Sequence, residues 1–218
     1  MSDAKLQLSA EEMRLVTDPG WILTKNSIIG KVVAMFAGLS EEWRLAAESG
    51  AAEDGAGRRL AELSVIGPKI SKGENYKGLP YVMLDYPRVF GREDVCAIRT
   101  MLWWGHAFSV TLHLKGKYLD MFLPVIRDRA AELSAAGFEV GIAEDEWEHA
   151  HTPETYRPFG GEPLGKGPFA KNLGDEHAAL PFLKLSARCG LERWNEAPAL
   201  LSGYYQTLIR VLSAGADS

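Results

Sequence analysis

The chain of 218 residues contains 46% hydrophobic and 24% charged residues and has a formal net charge of −5. These values are typical of a globular protein, and they exclude a disordered chain, a collagen-like repeat and a disulfide-stabilised scaffold. The negative charge also argues against sequence-independent nucleic-acid binding, which requires a basic surface.

The first sixty residues predict helices. Ser9 and Glu12 have the spacing of a capping box, and the short helix that they open should end at residues 18–20. Apolar residues then recur at helical spacing over 24–36, so a second helix is predicted there, ended by Gly38 and followed by a third that opens at Ser40. We expect a loop over 50–57 and a last helical turn over 58–63.

The pattern changes to strands after residue 64. Runs rich in β-branched and aromatic residues occupy 81–86, 95–104 and 107–115, and Gly105-His106 between the last two predicts a hairpin. A helix over 119–136, strands over 138–142 and 182–187, and a helix from Ala197-Pro198 complete the order. The sequence therefore predicts one α+β domain: a helical part (1–63), then an antiparallel meander with C-terminal helices (64–218), the helices packing on one sheet face.

The hairpin carries the main candidate site. A two-residue loop would place Trp103 opposite Phe108 and Arg99 opposite Leu112, on an apolar face that packs against helices. The reverse face would then mix aromatic, apolar and polar side chains, which is typical of a ligand pocket. Its candidate ligand-binding residues are Trp104, Thr100, Ser109, Thr111 and His113.

Arg99 is the charged exception on the face predicted to be apolar. A buried guanidinium needs a carboxylate, and Asp85 on the neighbouring strand is the nearest candidate by pattern. Two interpretations stay open: a structural ion pair, or an anion-binding arginine at the floor of a pocket.

Residues 144–151 form an acidic, histidine-containing segment. If the strand over 138–142 continues over 147–151, His149 and His151 would project to one face and could share a metal, with neighbouring carboxylates as further ligands. The spacing matches no zinc motif, and a solvated acidic run is the alternative. No cofactor is expected.

Residues 152–175 hold five glycines and four prolines, so they predict a long loop. Its aromatic residues indicate that it packs against the protein, either as a lid over the candidate sheet face or as a static filler of a groove.

Two stretches, GLPYVMLDYPR (78–88) and IRTMLWWG (98–105), resemble an uncharacterised family of bacterial proteins. The resemblance implies a bacterial, cytosolic origin and no particular activity.

Three functions are compatible with these patterns. The first is a non-catalytic protein that binds a small molecule or a partner through the second sheet face, beneath the 152–175 loop. The second is an enzyme, such as a metal-assisted hydrolase using His113 or the His149/His151 pair, although no nucleophile with an orienting partner is evident. The third is a homodimer through that sheet face, without a ligand.

The sequence also indicates a cellular location. It shows neither a secretory signal nor an apolar stretch of about 18 residues, and Cys96 and Cys189 are isolated, as is usual for reduced thiols. These features predict a cytoplasmic protein without membrane or nucleic-acid partners.

Overall fold

The computed structural model describes residues 6–50, 62–158 and 181–214. The main helices are α1 (Ala10–Thr17), α2 (Pro19–Gly50), α3 (Lys117–Asp128), α4 (Ala130–Ala135) and α5 (Ala197–Ala214). The strands are β1 (Lys69–Tyr76), β2 (Leu79–Phe90), β3 (Val95–Trp103), β4 (Ala107–Lys115), β5 (Glu139–Gly141), β6 (Tyr156–Pro158) and β7 (Leu183–Gly190).

These strands form one sheet in the order β1-β2-β3-β4-β7-β5-β6, in which every neighbouring pair is antiparallel. The first four strands are a meander, so the predicted α+β class is confirmed. The predicted helix over 119–136 is present as two helices, α3 and α4, which meet at Arg129.

The N-terminal helices agree with the sequence at their start and differ further along. The capping box is confirmed: Ser9 Oγ accepts from the Glu12 amide at 3.2 Å, and the Ser9 amide donates to Glu12 Oε2 at 2.7 Å. The predicted end at Gly38 is wrong, because α2 continues through it. Phe36 and Trp43 are buried on either side of Gly38, and their burial outweighs a glycine penalty of about 1 kcal/mol. The predicted loop and most of the following helical turn fall at 51–61, outside the described residues.

The hydrophobic core lies between one face of the sheet and helices α2, α3 and α5. Side chains from alternate positions of the strands point into it, among them Leu84, Ile98, Val110 and Leu185. The predicted packing of helices on one face is therefore confirmed, and this face is called the core face.

The predicted register of the hairpin is wrong by one residue. Trp103 lies opposite Ala107, and Arg99 lies opposite Thr111, so the loop has three residues rather than two. The His106 amide donates to the Trp103 carbonyl at 3.1 Å, and Gly105 has a φ of +74°, the backbone that a type II turn requires at this position. Because successive side chains of a strand point to opposite faces, a shift of one residue moves every side chain of β3 to the other face relative to β4.

The slip moves Arg99 off the core face and onto the same face as Ser109, Thr111 and His113. Thr100 lies instead on the core face with no exposed surface, and Trp104 packs against the core from the loop. The proposed grouping of Trp104 and Thr100 with the three polar residues of β4 is therefore corrected. The face opposite the core is called the polar face; its members include Lys69, Ser71, Tyr81, Met83, Asp85, Arg99, Ser109, Thr111, His113, Lys184 and Ser186.

Residues 142–155, called the strap, cross part of the polar face. The predicted continuation of a strand over 147–151 is wrong, because the strap is irregular and the chain re-enters the sheet only at β6. Of the predicted loop 152–175, residues 156–158 form β6, and 159–175 lie outside the described residues.

Helix α2 is long and apolar enough to cross a membrane, by length and composition only. Val32, Phe36 and Trp43 on this helix nevertheless pack into the core, each with 2% or less of its surface exposed. The more exposed end of the helix is its N-terminal end, at residues 19–24.

Candidate binding site

Tyr76 holds the strap against the sheet. Its hydroxyl donates to Glu148 Oε1 at 2.6 Å and accepts from the backbone amides of His149 at 2.7 Å and Ala150 at 3.1 Å. Burial, together with the hydrogen bond to Glu148, raises the pKa of Tyr76 to about 12. Lys77 Nζ binds the other oxygen of Glu148 at 2.7 Å, so the end of β1 fixes the middle of the strap.

Arg99 joins the sheet to the strap. Its Nε and Nη2 donate to the two carboxylate oxygens of Asp85 at 2.7 and 3.0 Å, which confirms the partner that the sequence predicted. Its Nη1 lies 3.0 Å from Nε2 of His149. Burial, with Lys184 and Arg99 nearby, lowers the pKa of His149 to about 2. The imidazole is therefore neutral at pH 7, and its Nε2 accepts the hydrogen bond from Arg99.

His113 and Glu146 form a second contact between the sheet and the strap. Nε2 of His113 lies 3.2 Å from Oε2 of Glu146, and Lys115 binds the other carboxylate oxygen at 2.9 Å. The Trp147 ring packs edge-on against the imidazole at 5.4 Å. Burial, with Lys184 nearby, lowers the pKa of His113 to about 4, so this histidine is also neutral at pH 7.

Lys184 is the most deeply buried charged residue of the polar face, with 2% of its surface exposed. Its ammonium group donates to the backbone carbonyl of Glu148 in the strap. Burial, followed by repulsion from Arg99, lowers its pKa to about 8. The sequence analysis did not select Lys184, although its alternation with Leu183 and Leu185 places it on the face opposite the core.

A pocket of about 640 Å³ lies on the polar face beside the strap. Arg99 and Asp85 lie in its lining, together with aromatic rings and with further cationic and polar side chains that the sequence analysis did not assign to a site. These additional residues include Lys69, Ser71, Tyr76, Tyr81, Arg88, Phe90 and Trp147. Alternation along β1 and β2 would assign most of these residues to the polar face, but only once the register of β2 against β3 is known.

A much smaller void lies beneath the strap, between His113, His149 and Lys184. Its volume is about 10 Å³, which is about the room that one water molecule needs. Thr111 lines this void and shares a hydrogen bond of 2.7 Å with Ser186. His113 and Lys184 are therefore packed around a space too small for a substrate, whereas His149 also lines the larger pocket.

The two histidines of the predicted metal pair have separate partners. His149 directs Nε2 at Arg99, whereas the His151 ring stacks on Tyr156 with centroids 4.0 Å apart. Burial, with Arg188 nearby, lowers the pKa of His151 to about 3. Among the residues that the structure describes, no group of three or more His, Cys, Asp or Glu side chains is arranged to hold a metal ion.

Comparisons of this chain with models of protein families, with curated proteins and with solved structures find no match.

Proposed function

We propose that the protein is a non-catalytic binding protein whose ligand is a small anionic molecule with a flat apolar part. The observation that carries this proposal is the 640 Å³ pocket on the polar face, whose size falls within the range of small-molecule sites. Of the sequence-predicted ligand residues, Arg99 and Asp85 lie in its lining, while Ser109, Thr111 and His113 stay on the polar face outside it.

The charges of the lining favour an anion, since three cations, Lys69, Arg88 and Arg99, accompany two carboxylates, Asp85 and Asp145. Asp85 is occupied by both of its bonds to Arg99, so this carboxylate does not neutralise a further cation. Among the described residues, Arg88 bonds through Nε alone, at 2.7 Å to the Gly67 carbonyl. Lys69 forms no ion pair within the described part of the chain. Lys69 and the terminal nitrogens of Arg88 therefore remain to bind a carboxylate or phosphate.

The aromatic residues of the lining favour a flat apolar group next to the anion. Phe90 and Trp147 lie with their ring centroids 6.1 Å apart at one side of the pocket, and each keeps more than 40% of its surface exposed. Tyr76 and Tyr81 lie at another side, in edge-to-face contact at 6.4 Å. Stacking on exposed rings of this kind supplies binding energy without requiring a particular substituent pattern.

Binding is favoured over hydrolysis because the histidine that lines the pocket, His149, is already engaged: its Nε2 accepts from Arg99, and burial keeps its pKa low. His113 with Glu146 is a second acid–base pair on the polar face, and His113 lines the 10 Å³ void beneath the strap. A substrate carbonyl has no room there while the strap is in place. The alternative of metal-assisted hydrolysis meets a further obstacle, since Arg99 already occupies the Nε2 lone pair of His149.

A bacterial cytoplasmic location belongs to the same proposal. Cys96 and Cys189 are both buried free thiols, and burial raises the pKa of Cys96 to about 12. Thiols in this state are unreactive, which is compatible with a reducing compartment.

The test is a calorimetric titration of the full chain with 2-naphthoate and with phenyl phosphate, which carry the two candidate anions on flat rings. We expect at least one to bind with a dissociation constant below about 1 mM. Lys69→Met should weaken that binding by about fivefold or more, because it removes a cation from the pocket. Lys72→Met is the matched control, since Lys72 lies on the same strand but on the opposite face.

Trp147→Leu should also weaken binding, and neutral naphthalene should bind more weakly than 2-naphthoate. The proposal fails if neither anion binds below millimolar concentration, or if Lys69→Met and Lys72→Met have equal effects.

A further inference from the structure

The pocket on the polar face extends along β2 and has an aromatic residue near each end. Tyr81 lies opposite Trp103, the last residue of β3. Phe90 lies opposite Val95, the first residue of that strand. The two ends are therefore eight residues of β3 apart, which is about 26 Å at about 3.3 Å per residue. A ligand with a single ring system reaches only one of them.

The cations of the pocket lie between these two ends. Arg99 is the middle residue of β3, and Lys69 lies in the same row of the sheet, since both lie opposite Asp85. Arg88 follows on β2, between this row and Phe90. Along its length the pocket therefore presents an aromatic end, a cationic centre and a second aromatic end.

Tyr81 offers a flat surface at its end of the pocket. Gly73 lies opposite Tyr81, and a Cβ added to this glycine would lie 2.5 Å from the tyrosine ring. The ring therefore lies across the backbone of β1, in a position that a larger residue at 73 would block. Because the ring also lines the pocket, a flat group can stack on the side that is turned away from β1.

Each aromatic end also has polar side chains in the pocket lining. Ser71 and Asn75 belong to β1, which pairs with β2 beside Tyr81. Asp145 belongs to the end formed by the strap, where its Oδ1 accepts from the Trp147 amide at 2.8 Å. Ring nitrogens, exocyclic amines and sugar hydroxyls can bond to such groups, whereas a hydrocarbon ring cannot. The two ends therefore fit nucleosides better than plain aromatic groups.

The charge of the centre fits a diphosphate. Asp85 balances the charge of Arg99 through two hydrogen bonds, so Lys69 and Arg88 supply the two positive charges that the ligand meets. A diphosphate that joins two nucleosides carries two negative charges and has several oxygens for an ammonium and a guanidinium. A single carboxylate would balance only one of the two cations.

We propose that the ligand of this pocket is a dinucleotide, in which two nucleosides are joined through a diphosphate. One base stacks on Tyr81, and the other contacts Phe90 and Trp147. The diphosphate lies between them, at Lys69 and Arg88. This inference rests on the proposed anion-binding function, to which it adds a second flat group.

Calorimetric titration of the full chain with three probes tests for the second flat group. The probes are diadenosine diphosphate, adenosine diphosphate and phenyl phosphate. Diadenosine diphosphate should bind at least about tenfold more tightly than adenosine diphosphate, because its second base also stacks. Charge alone would give the opposite order, since adenosine diphosphate is the more negative of the two.

Two substitutions at the first aromatic end locate the second base. Tyr81→Leu should abolish the preference for diadenosine diphosphate over adenosine diphosphate, because it removes one of the two stacking surfaces. Gly73→Ala should also reduce the preference, since the added Cβ displaces the Tyr81 ring. Tyr118→Leu is the matched control and should keep the preference, because Tyr118 is a half-buried tyrosine of α3 that packs against the core.

The outcomes separate this inference from the function on which it rests. If phenyl phosphate binds but diadenosine diphosphate binds no more tightly than adenosine diphosphate, the dinucleotide is overturned and the anion-binding function stands. A preference that survives Tyr81→Leu would overturn the dinucleotide in the same way. If neither phenyl phosphate, 2-naphthoate nor diadenosine diphosphate binds below millimolar concentration, both proposals fail.

Discussion

Acidification from pH 7 to pH 5 should destabilise the protein through the buried histidines of the strap and of the sheet beneath it. Burial, with neighbouring cations, lowers the pKa of His113 to about 4, of His149 to about 2 and of His151 to about 3. A histidine whose pKa is depressed by folding is neutral in the folded chain and protonated in the unfolded chain over the intervening pH range. The resulting loss of stability is therefore negligible above about pH 6.5. It increases as the pH falls from there toward the pKa of the folded state.

The magnitude follows from the size of that range. At pH 5 an ordinary histidine with a pKa near 6.5 is about 97% protonated, whereas each of the three buried histidines is still mostly neutral. Each then lowers the free energy of unfolding by about 2 kcal/mol, so the three together cost at most about 6 kcal/mol. A domain with a total stability of about 5–15 kcal/mol would lose much of it.

Urea denaturation at several pH values between 5 and 7 measures this effect. His149→Gln should lower the slope of unfolding free energy against pH by about 1.4 kcal/mol per unit below pH 5.5, the contribution of one proton. His106→Gln is the control, because His106 lies exposed in the β3–β4 loop, stacked on Trp103. The reasoning is refuted if the wild type is equally stable at pH 5 and 7, or if the two substitutions change the slope equally.

Two further substitutions test the contacts that connect the strap to the sheet. Arg99→Met should lower the free energy of unfolding by about 3–5 kcal/mol, because Asp85 would remain buried with its charge unpaired. Chemical denaturation measures this loss. Adding Asp85→Asn should recover part of it. A loss below 1 kcal/mol would mean that water compensates the pair. Tyr76→Phe should cost about 1–3 kcal/mol and speed amide hydrogen exchange at His149 and Ala150 while leaving the amides of β3 unchanged. Unchanged exchange at those two amides would show that the strap is held by other contacts.

The strands could be predicted from the sequence because their composition and alternation are local properties. The hairpin register could not, since Trp104-Gly105-His106 is compatible with a two-residue and with a three-residue loop. The register is decided by non-local pairs: Asp85 of β2 lies beside Arg99, and Lys184 of β7 lies beside His113. Neither pair can be inferred from the sequences of β3 and β4 alone, because Asp85 and Lys184 lie on other strands.

The candidate site was predictable to a similar degree. The Arg99–Asp85 pair followed from the need of a guanidinium for a carboxylate on a neighbouring strand. The anchoring of the strap by Tyr76 did not, because the hydroxyl meets amides more than seventy positions along the chain. The continuous course of α2 through Gly38 was missed for a related reason, since burial of Phe36 and Trp43 against the sheet overrides the local preference of glycine.

The observed register also explains why the protein has a strap. In the predicted register Arg99 would face the helices and the apolar core that lies between them and the sheet. The slip of one residue instead gathers Arg99, His113 and Lys184 on one face, and none of these could be buried there without polar partners. The strap supplies two of them, the His149 imidazole for Arg99 and the Glu148 carbonyl for Lys184, and it places the Glu146 carboxylate 3.2 Å from His113 Nε2 without an aligned hydrogen bond. Because the strap covers this part of the sheet and leaves much of β1–β3 uncovered, its residues Asp145, Trp147 and His149 also form one wall of the proposed pocket.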